Sequence, residues 1–297
     1  MEKFKSGFIS IIGRPNVGKS TLLNTMVGKK IAIMSDKPQT TRNEVLGILT
    51  KEDYQLVFID TPGIHKPKTN LGEYMMDMVK KNLRNIDLIL YIVDSSKEIG
   101  KGEEYIIEML SKTKTPIILV INKIDLDNKE SVLPIIEKYN ELIKVENIIP
   151  ISALKNQNLD ELLTKILENI EEGPMYFPAE DTSNVSEAFL VSEIIREKIL
   201  RLTEEEVPHS SAVLIDLIEE DGELINVYAS IYVERKSQKG IMIGKGASML
   251  KKIGRLSRIE LEKMWGMKVY LNIQVKVKDS WRKKDFDMRN FGYKREK

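Results

Sequence analysis

The octapeptide Gly13-Arg14-Pro15-Asn16-Val17-Gly18-Lys19-Ser20 constrains this chain more than any other feature. It follows the β-branched run Phe8–Ile12 and opens a helical stretch, Ser20–Val27. In that strand–turn–helix setting, G-x-x-x-x-G-K-[ST] is a phosphate-cradling loop. Its glycines let successive backbone N–H groups point inward at phosphate oxygens, and the helix N-terminus adds the positive end of its dipole. Gly13 through Thr21 are therefore the predicted phosphate-binding stretch. Lys19 is expected to reach the β- and γ-phosphates and Ser20 to ligate Mg²⁺.

What surrounds the loop predicts an α/β domain with a mostly parallel sheet and helices on both faces. Further apolar runs at Leu56–Ile59, Leu88–Val93, Ile117–Ile121 and Ile148–Ile151 alternate with helical stretches at Leu71–Leu83, Glu103–Leu110, Val132–Lys144 and Leu159–Ile170. Sheets of this kind bind ligands at the carboxyl ends of their strands. Gly173, Pro174 and Pro178 then break helical character. The expected organisation is a nucleotide domain over 1–172, a linker over 173–184 and a smaller α+β domain over 185–297. In the last, Val185–Leu202, Ala247–Ile253 and Leu256–Met264 read as helices, and Ala212–Glu219, Ile225–Glu234 and Val269–Val277 as strands.

Two further carboxylates specify the ligand. Asp60-Thr61-Pro62-Gly63 ends an apolar run, which places Asp60 to serve the Mg²⁺ shell and the Gly63 amide to meet a γ-phosphate. Asn122-Lys123-Ile124-Asp125 follows the strand Ile117–Ile121. Guanine presents N1–H and a 2-amino group side by side, and one carboxylate, Asp125, accepts both. Adenine would leave that carboxylate unpaired. Asn122 can bridge the base edge or a neighbouring loop, the Lys123 stem can cover the ring, and amides of Ser152-Ala153 can approach guanine O6. The chain has no cysteine, which excludes thiolate metal sites, and with two histidines, His65 and His209, an imidazole-rich metal site is not expected. His65 is expected to face solvent. No apolar run approaches the ~20 residues of a membrane span.

The net charge of +1 hides an asymmetry. Residues 239–297 hold 17 Lys+Arg against 6 Asp+Glu, a net of +11, and the rest holds 29 against 39, a net of −10. A basic block on an acidic chain points to a polyanionic partner.

Taken in order, these pieces resemble translation-factor-class P-loop GTPases. The resemblance makes Pro38-Gln39-Thr40-Thr41-Arg42 the first switch, with Thr41 closing on Mg²⁺ and Thr40 as the alternative. Lys19, Thr41 and Gly63 are then the catalytic set. Ile64 occupies the position where many GTPases place a water-orienting glutamine. Asn16 resembles the asparagine of GTPases that bind K⁺ beside the phosphates. In the basic region, Ile241-Met-Ile243-Gly244-Lys245-Gly246-Ala247, with Lys251 and Lys252 beyond, resembles the I-I-G-x-x-G loop of type II KH domains. Ala247 stands where that motif has glycine. Trp281 and Phe286 interleave with cations in a pattern that suits base stacking or a packed tail.

A GTPase followed by a KH domain resembles the Era family of bacterial GTPases over essentially the whole chain. That resemblance implies GTP and GDP as ligands, Mg²⁺, binding near the 3′ end of 16S ribosomal RNA and a role in 30S assembly. It also implies residence in the cytoplasm with some peripheral contact with the inner face of the cell membrane; a monomer is expected. The alternatives are GTP as a slow or purely structural ligand, and action on another RNA or at the membrane surface.

Overall fold

In the computed structural model, described over residues 4–95, 99–126 and 132–294, the chain divides into two compact units. The first comprises the residues up to Lys66 together with Met75–Asn184; the second comprises Pro67–Tyr74 and the chain from Val185 on.

The first unit is built on a six-stranded sheet. The elements up to residue 169 run β1 (Lys5–Gly13), α1 (Lys19–Val27), β2 (Val45–Thr50), β3 (Tyr54–Asp60), α2 (Asn70–Lys81, of which the residues up to Tyr74 group with the second unit), β4 (Leu88–Asp94), α3 (Lys101–Leu110), β5 (Ile117–Asn122), α4 (Val132–Leu142), β6 (Asn147–Ile151) and α5 (Leu159–Asn169). The strand order is β2-β3-β1-β4-β5-β6, with β2 antiparallel to β3 and the remaining pairs parallel. Every residue of β3, β4 and β5 is buried, as the continuous apolar runs require when helices cover both faces. Among the described residues no helix is long and apolar enough to cross a membrane.

The edge strand β2 is absent from the sequence reading because Gly47 interrupts its pattern. A Cβ there would lie 2.5 Å from Leu23 Cδ1, so helix α1 packs directly on the backbone. The outer edge of β2 is covered by the stretch read as a linker. The Ile48 amide donates to Thr182 O at 2.9 Å, and Gly47 bridges Ser183. Gln55, buried in β3, donates to Phe177 O and accepts from the amides of Tyr176 and Phe177. Residues 173–184 thus satisfy backbone groups that an edge would otherwise expose.

The second unit runs α6 (Glu187–Leu202), β7 (Ala212–Asp221), β8 (Leu224–Val233), α7 (Lys236–Ile243), α8 (Ser248–Trp265), β9 (Lys268–Val277) and α9 (Asp285–Asn290). Its sheet has order β7-β8-β9, with β7–β8 antiparallel and β8–β9 parallel. Val191, Ile195 and Ile199 of α6, Val227 and Ile231 of β8, and Ile253 and Leu261 of α8 share one core. Two helices differ from expectation. The stretches 247–253 and 256–264 form the single helix α8, because a buried stripe Ile253-Ser257-Leu261 passes Gly254 without a break; the polar Ser257 disguises that stripe in the sequence. Helix α7 was not foreseen. Gln238 Oε1 accepts from the amides of Glu234 and Arg235 at 2.9 and 3.0 Å, starting the helix by capping rather than by apolar period. The tail packs on its own unit: Trp281 is fully buried, donates Nε1–H to Ser210 O at 2.8 Å and stacks on Tyr293.

Candidate functional site

The sheet register brings the predicted motifs to one edge. Ile11 of β1 pairs Asp60, Gly13 pairs Ile92, and Asn122 pairs both Asp94 and Ile151. The phosphate loop, Asp60, the Asn122–Asp125 segment and the Ser152 loop all leave from these carboxyl ends.

The loop itself is fixed from behind. Gly18 takes φ +98°, and a Cβ there would lie 2.1 Å from Asn122 Nδ2. Asn122 donates to Val17 O at 2.8 Å and accepts from the Ala153 amide at 3.0 Å. Of the two roles open to Asn122, the structure shows the bridge between loops, and the Ala153 amide is engaged by that bridge. Val17 is buried in the core and Thr61 gives its hydroxyl to Ile11 O at 2.8 Å, so both support the backbone. Gly63 faces the loop so closely that a Cβ would sit 2.7 Å from Pro15 N.

Lys19 lies buried beneath the cradle and donates to Gly13 O and Arg14 O at 3.3 and 3.0 Å. Burial pushes its ammonium down to about 8, against the opposing pull of the Asp60 and Glu103 carboxylates. Arg14 points toward Glu103 of α3, with Nε 4.0 Å from Oε1.

Ser20, Thr41 and Asp60 converge. Ser20 Oγ donates to Asp60 Oδ2 at 2.6 Å, Thr41 Oγ1 donates to the same oxygen at 3.2 Å, and the two hydroxyls are 3.0 Å apart. Thr40 turns away and donates to Lys37 O at 2.6 Å. Desolvation raises the Asp60 carboxyl above the usual range, and its Oδ1 is buried with no hydrogen-bond partner among the described residues. An orphaned carboxylate oxygen beside two hydroxyls suits a hard divalent cation, so the residues present fit Mg²⁺.

On the base side, Ser152 Oγ donates to Asp125 Oδ1 at 2.5 Å and aims that carboxylate. Lys123, at φ +72°, ties the halves together through Asn16 O at 2.7 Å and the buried Asp94 at 2.8 Å. Pro15, Asn16, Gly18, Lys19, Ser20, Thr21, Gln39, Thr40, Thr41 and Gly63 line one cavity. His65 departs from the solvent-facing expectation. It is half-buried, with Nδ1 2.9 Å from Gly63 O and Nε2 3.4 Å from Gln39 Nε2.

In the second unit, α7 stops at Gly244 (φ 74°, ψ 168°), a conformation reserved for glycine. Lys245-Gly246-Ala247 then form a turn with Gly246 and Ala247 both left-handed before α8. A groove follows, lined by Ala247, Leu250, Lys251, Gly254, Arg255 and Arg258 on one side and Val269–Ile273 of β9 on the other. Lys252 is exposed outside it. Arg255 and Arg258 were missed by motif reading, although their spacing from Lys251, four and seven residues on, places all three on one helical face.

Comparison with known proteins agrees with both units. The family described as a 50S ribosome-binding GTPase matches residues 8–123, and the KH domain family matches 206–282. The chain is 52% identical over 294 residues to GTPase Era of Staphylococcus haemolyticus, covering 99% of this chain and 98% of that protein. A crystal structure of Era in complex with MgGDPNP and nucleotides 1506–1542 of 16S ribosomal RNA is 41% identical and superposes with a TM-score of 0.94, covering 98% of this chain and 99% of that one. An Aquifex aeolicus Era variant bound to GDP and AlF₄⁻ matches with the same identity, score and coverage.

Proposed function

The chain belongs to the Era family of GTPases, and from that premise we propose that its nucleotide state controls its hold on the 3′ region of small-subunit ribosomal RNA during 30S assembly. It is a P-loop GTP hydrolase that binds 16S ribosomal RNA. The working division is 1–172 for nucleotide, 173–184 as connection and 185–297 for RNA.

The amides of Gly13–Ser20 and the N-terminus of α1 hold the phosphates, and Lys19 places its charge on the β- and γ-oxygens. Asp125 selects guanine, aimed by Ser152, while Asn122 and Lys123 brace the loops behind it. Ser20, Thr41 and Asp60 would hold Mg²⁺, which neutralises phosphate charge when bound. Thr41 and Gly63 sit on the two switch segments, so loss of the γ-phosphate releases both. Asn16 commits its Nδ2 to Asp36 O, which leaves its amide oxygen as the atom a K⁺ ion would take. The groove between α8 and β9 receives single-stranded bases while Gly244–Ala247 lies against the backbone and Ile243, Lys245, Lys251 and Lys252 flank it. The chain works as a cytoplasmic monomer. Leu256 and Ile259, exposed on α8 beside Lys252 and Arg258, support peripheral contact with the inner face of the cell membrane as a second, weaker site of residence.

The observation that carries this reading is the convergence of the Ser20 and Thr41 hydroxyls on Asp60 Oδ2, with Oδ1 of the same carboxylate buried and without a hydrogen-bond partner among the described residues. The test measures affinity for an RNA of the 16S 3′ end with GDPNP, GDP or neither. At least about tenfold tighter binding with GDPNP is expected. Equal binding in all three, or ATP taken up as tightly as GTP, would refute it. Turnover in K⁺ against Na⁺ at fixed ionic strength isolates Asn16, and liposome flotation separates the membrane contact from the RNA contact.

A further inference from the structure

Hydrolysis needs a group that orders the attacking water, and Ile64 cannot be that group. Its side chain is buried in the core with Met76, Val79 and Ile106, and its amide is committed to Gly13 O at 3.1 Å. We propose that Gln39 orders the water and that His65 is the residue that positions Gln39; this rests on the hydrolase reading above.

The geometry is a relay across the cavity mouth. Gly63 O can only accept, so His65 carries its proton on Nδ1 and donates it over 2.9 Å. The lone pair on Nε2 then accepts from Gln39 Nε2–H at 3.4 Å. Gln39, on the first switch, is thereby fastened through one ring to the backbone of the second switch, beside the amide expected to meet the γ-phosphate. Gln39 lines the same cavity as Lys19, Thr41 and Gly63 and holds φ +59°, an uncommon value for a residue with a side chain. Arg14, the nearest cation of the loop after Lys19, is drawn toward Glu103.

An amide held this way offers its carbonyl oxygen to a water hydrogen and so turns the water's lone pair toward phosphorus. The water oxygen bonds to Pγ as the bond from Pγ to the β–γ bridging oxygen breaks. The electron pair of that bond leaves on GDP, and the water's protons pass to the phosphate product and to solvent. Gln39 touches the reacting water and is catalytic; His65 acts through it.

The experiment uses the full-length chain with GTP in potassium chloride. Gln39→Ala is expected to lower kcat about 10²-fold while KM for GTP and Kd for GDP stay within about threefold. It should also lose capture of aluminium fluoride on the GDP complex. His65→Ala should give a smaller loss of kcat, about tenfold, partly restored by His65→Gln, and the double variant should be no slower than Gln39→Ala alone. Wild-type turnover in Gln39→Ala, or a fall in GDP affinity matching the fall in kcat/KM, overturns the assignment and leaves the hydrolase reading standing. A wild-type chain without turnover overturns both.

Discussion

The molecule carries two glycine-rich loops that lead into helices, and they are held in opposite ways. Gly13–Ser20 ends a buried strand and is braced by side chains: Asn122 at Val17 and Ala153, Lys19 at Gly13 and Arg14, Lys123 at Asn16. Gly244–Ala247 lies between two helices, its positions half-buried or exposed, and it is shaped by backbone conformation alone, with no side-chain cap at the start of α8. The first loop must be rigid before a triphosphate arrives, since its donors have to be placed in advance. The single-stranded RNA that the second loop is proposed to meet adapts to it, so torsional preference is enough there.

The largest test of that contrast is Gly18→Ala. The added Cβ would meet Asn122 Nδ2 at 2.1 Å, and that side chain cannot withdraw without abandoning two buried hydrogen bonds. With the φ of +98° added, a loss of about 3–4 kcal/mol is expected for the unliganded first unit, and GDP affinity should fall more than about 10²-fold. Calorimetry with GDP and denaturant unfolding give the two values. Binding within about threefold of wild type would mean the loop is not braced as described.

Gly244→Ala is its counterpart. Here the Cβ would lie 2.8 Å from Met249 N, in a backbone region closed to alanine. About 2–3 kcal/mol should be lost from the second unit alone. RNA affinity should drop about tenfold and GDP affinity should not move. A matching loss of GDP affinity would show that the loops are not independent.

The cations of the two loops separate the units by pH and salt. Lys19 is buried and its pKa is pushed down to about 8, whereas Lys245 and Lys251 are exposed. Bound phosphates raise the Lys19 pKa, so binding above pH 8 must take up a proton. GDP affinity should be flat below pH 8 and fall up to about tenfold per unit above it. The unliganded fold responds with the opposite sign. Its Lys19 sits below the unfolded value of 10.5, the unfolded chain binds more protons between 8 and 10.5, and stability from this group rises with pH across that window. RNA affinity should instead fall about twentyfold between 50 and 200 mM salt, as expected for about three neutralised phosphates on a single strand. Titrations of GDP against pH and of RNA against salt check both.

This contrast also decides what the sequence could disclose. The convergence of the candidate nucleotide site was legible because each of its proposed parts is a fixed residue type at the end of a continuous apolar strand: Lys19, Ser20, Asp60, Asn122, Asp125. Thr41 over Thr40 was not, because both carry the same hydroxyl and only the fold turns one toward Asp60. His65 was not, because its partners, Gly63 O and Gln39, are a backbone atom and a distant switch residue. The missed elements have two causes. Strand β2 is hidden by a glycine that makes room for α1, α7 by a start made through capping, and the unity of α8 by Ser257 on its buried face. In β2 and α8 tertiary packing chose a residue that local pattern penalises, whereas α7 begins at a local cap that no apolar period announces.

Ala247 yields the smallest expected effect and the sharpest statement about the second loop. A KH-type turn with glycine at this position pays nothing to hold φ near 60°; here alanine holds φ 61° and ψ 25°. The strain of a left-handed alanine is about 1 kcal/mol. Relieving it by Ala247→Gly has an opposing term, since glycine loses more chain entropy on folding. The residue caps α8 from outside its first turn, so the helix interior bears none of that entropy loss and the strain term dominates. Ala247→Gly should therefore raise the stability of the second unit by about 0.5–1 kcal/mol, read as a shift of its denaturant midpoint at unchanged slope. If alanine were kept to stiffen the loop against RNA, the same variant would gain stability and bind RNA more weakly. If the loop is shaped by torsion alone, RNA affinity would hold within about twofold, so one variant measured two ways shows whether this loop, like the first, is rigid for a reason.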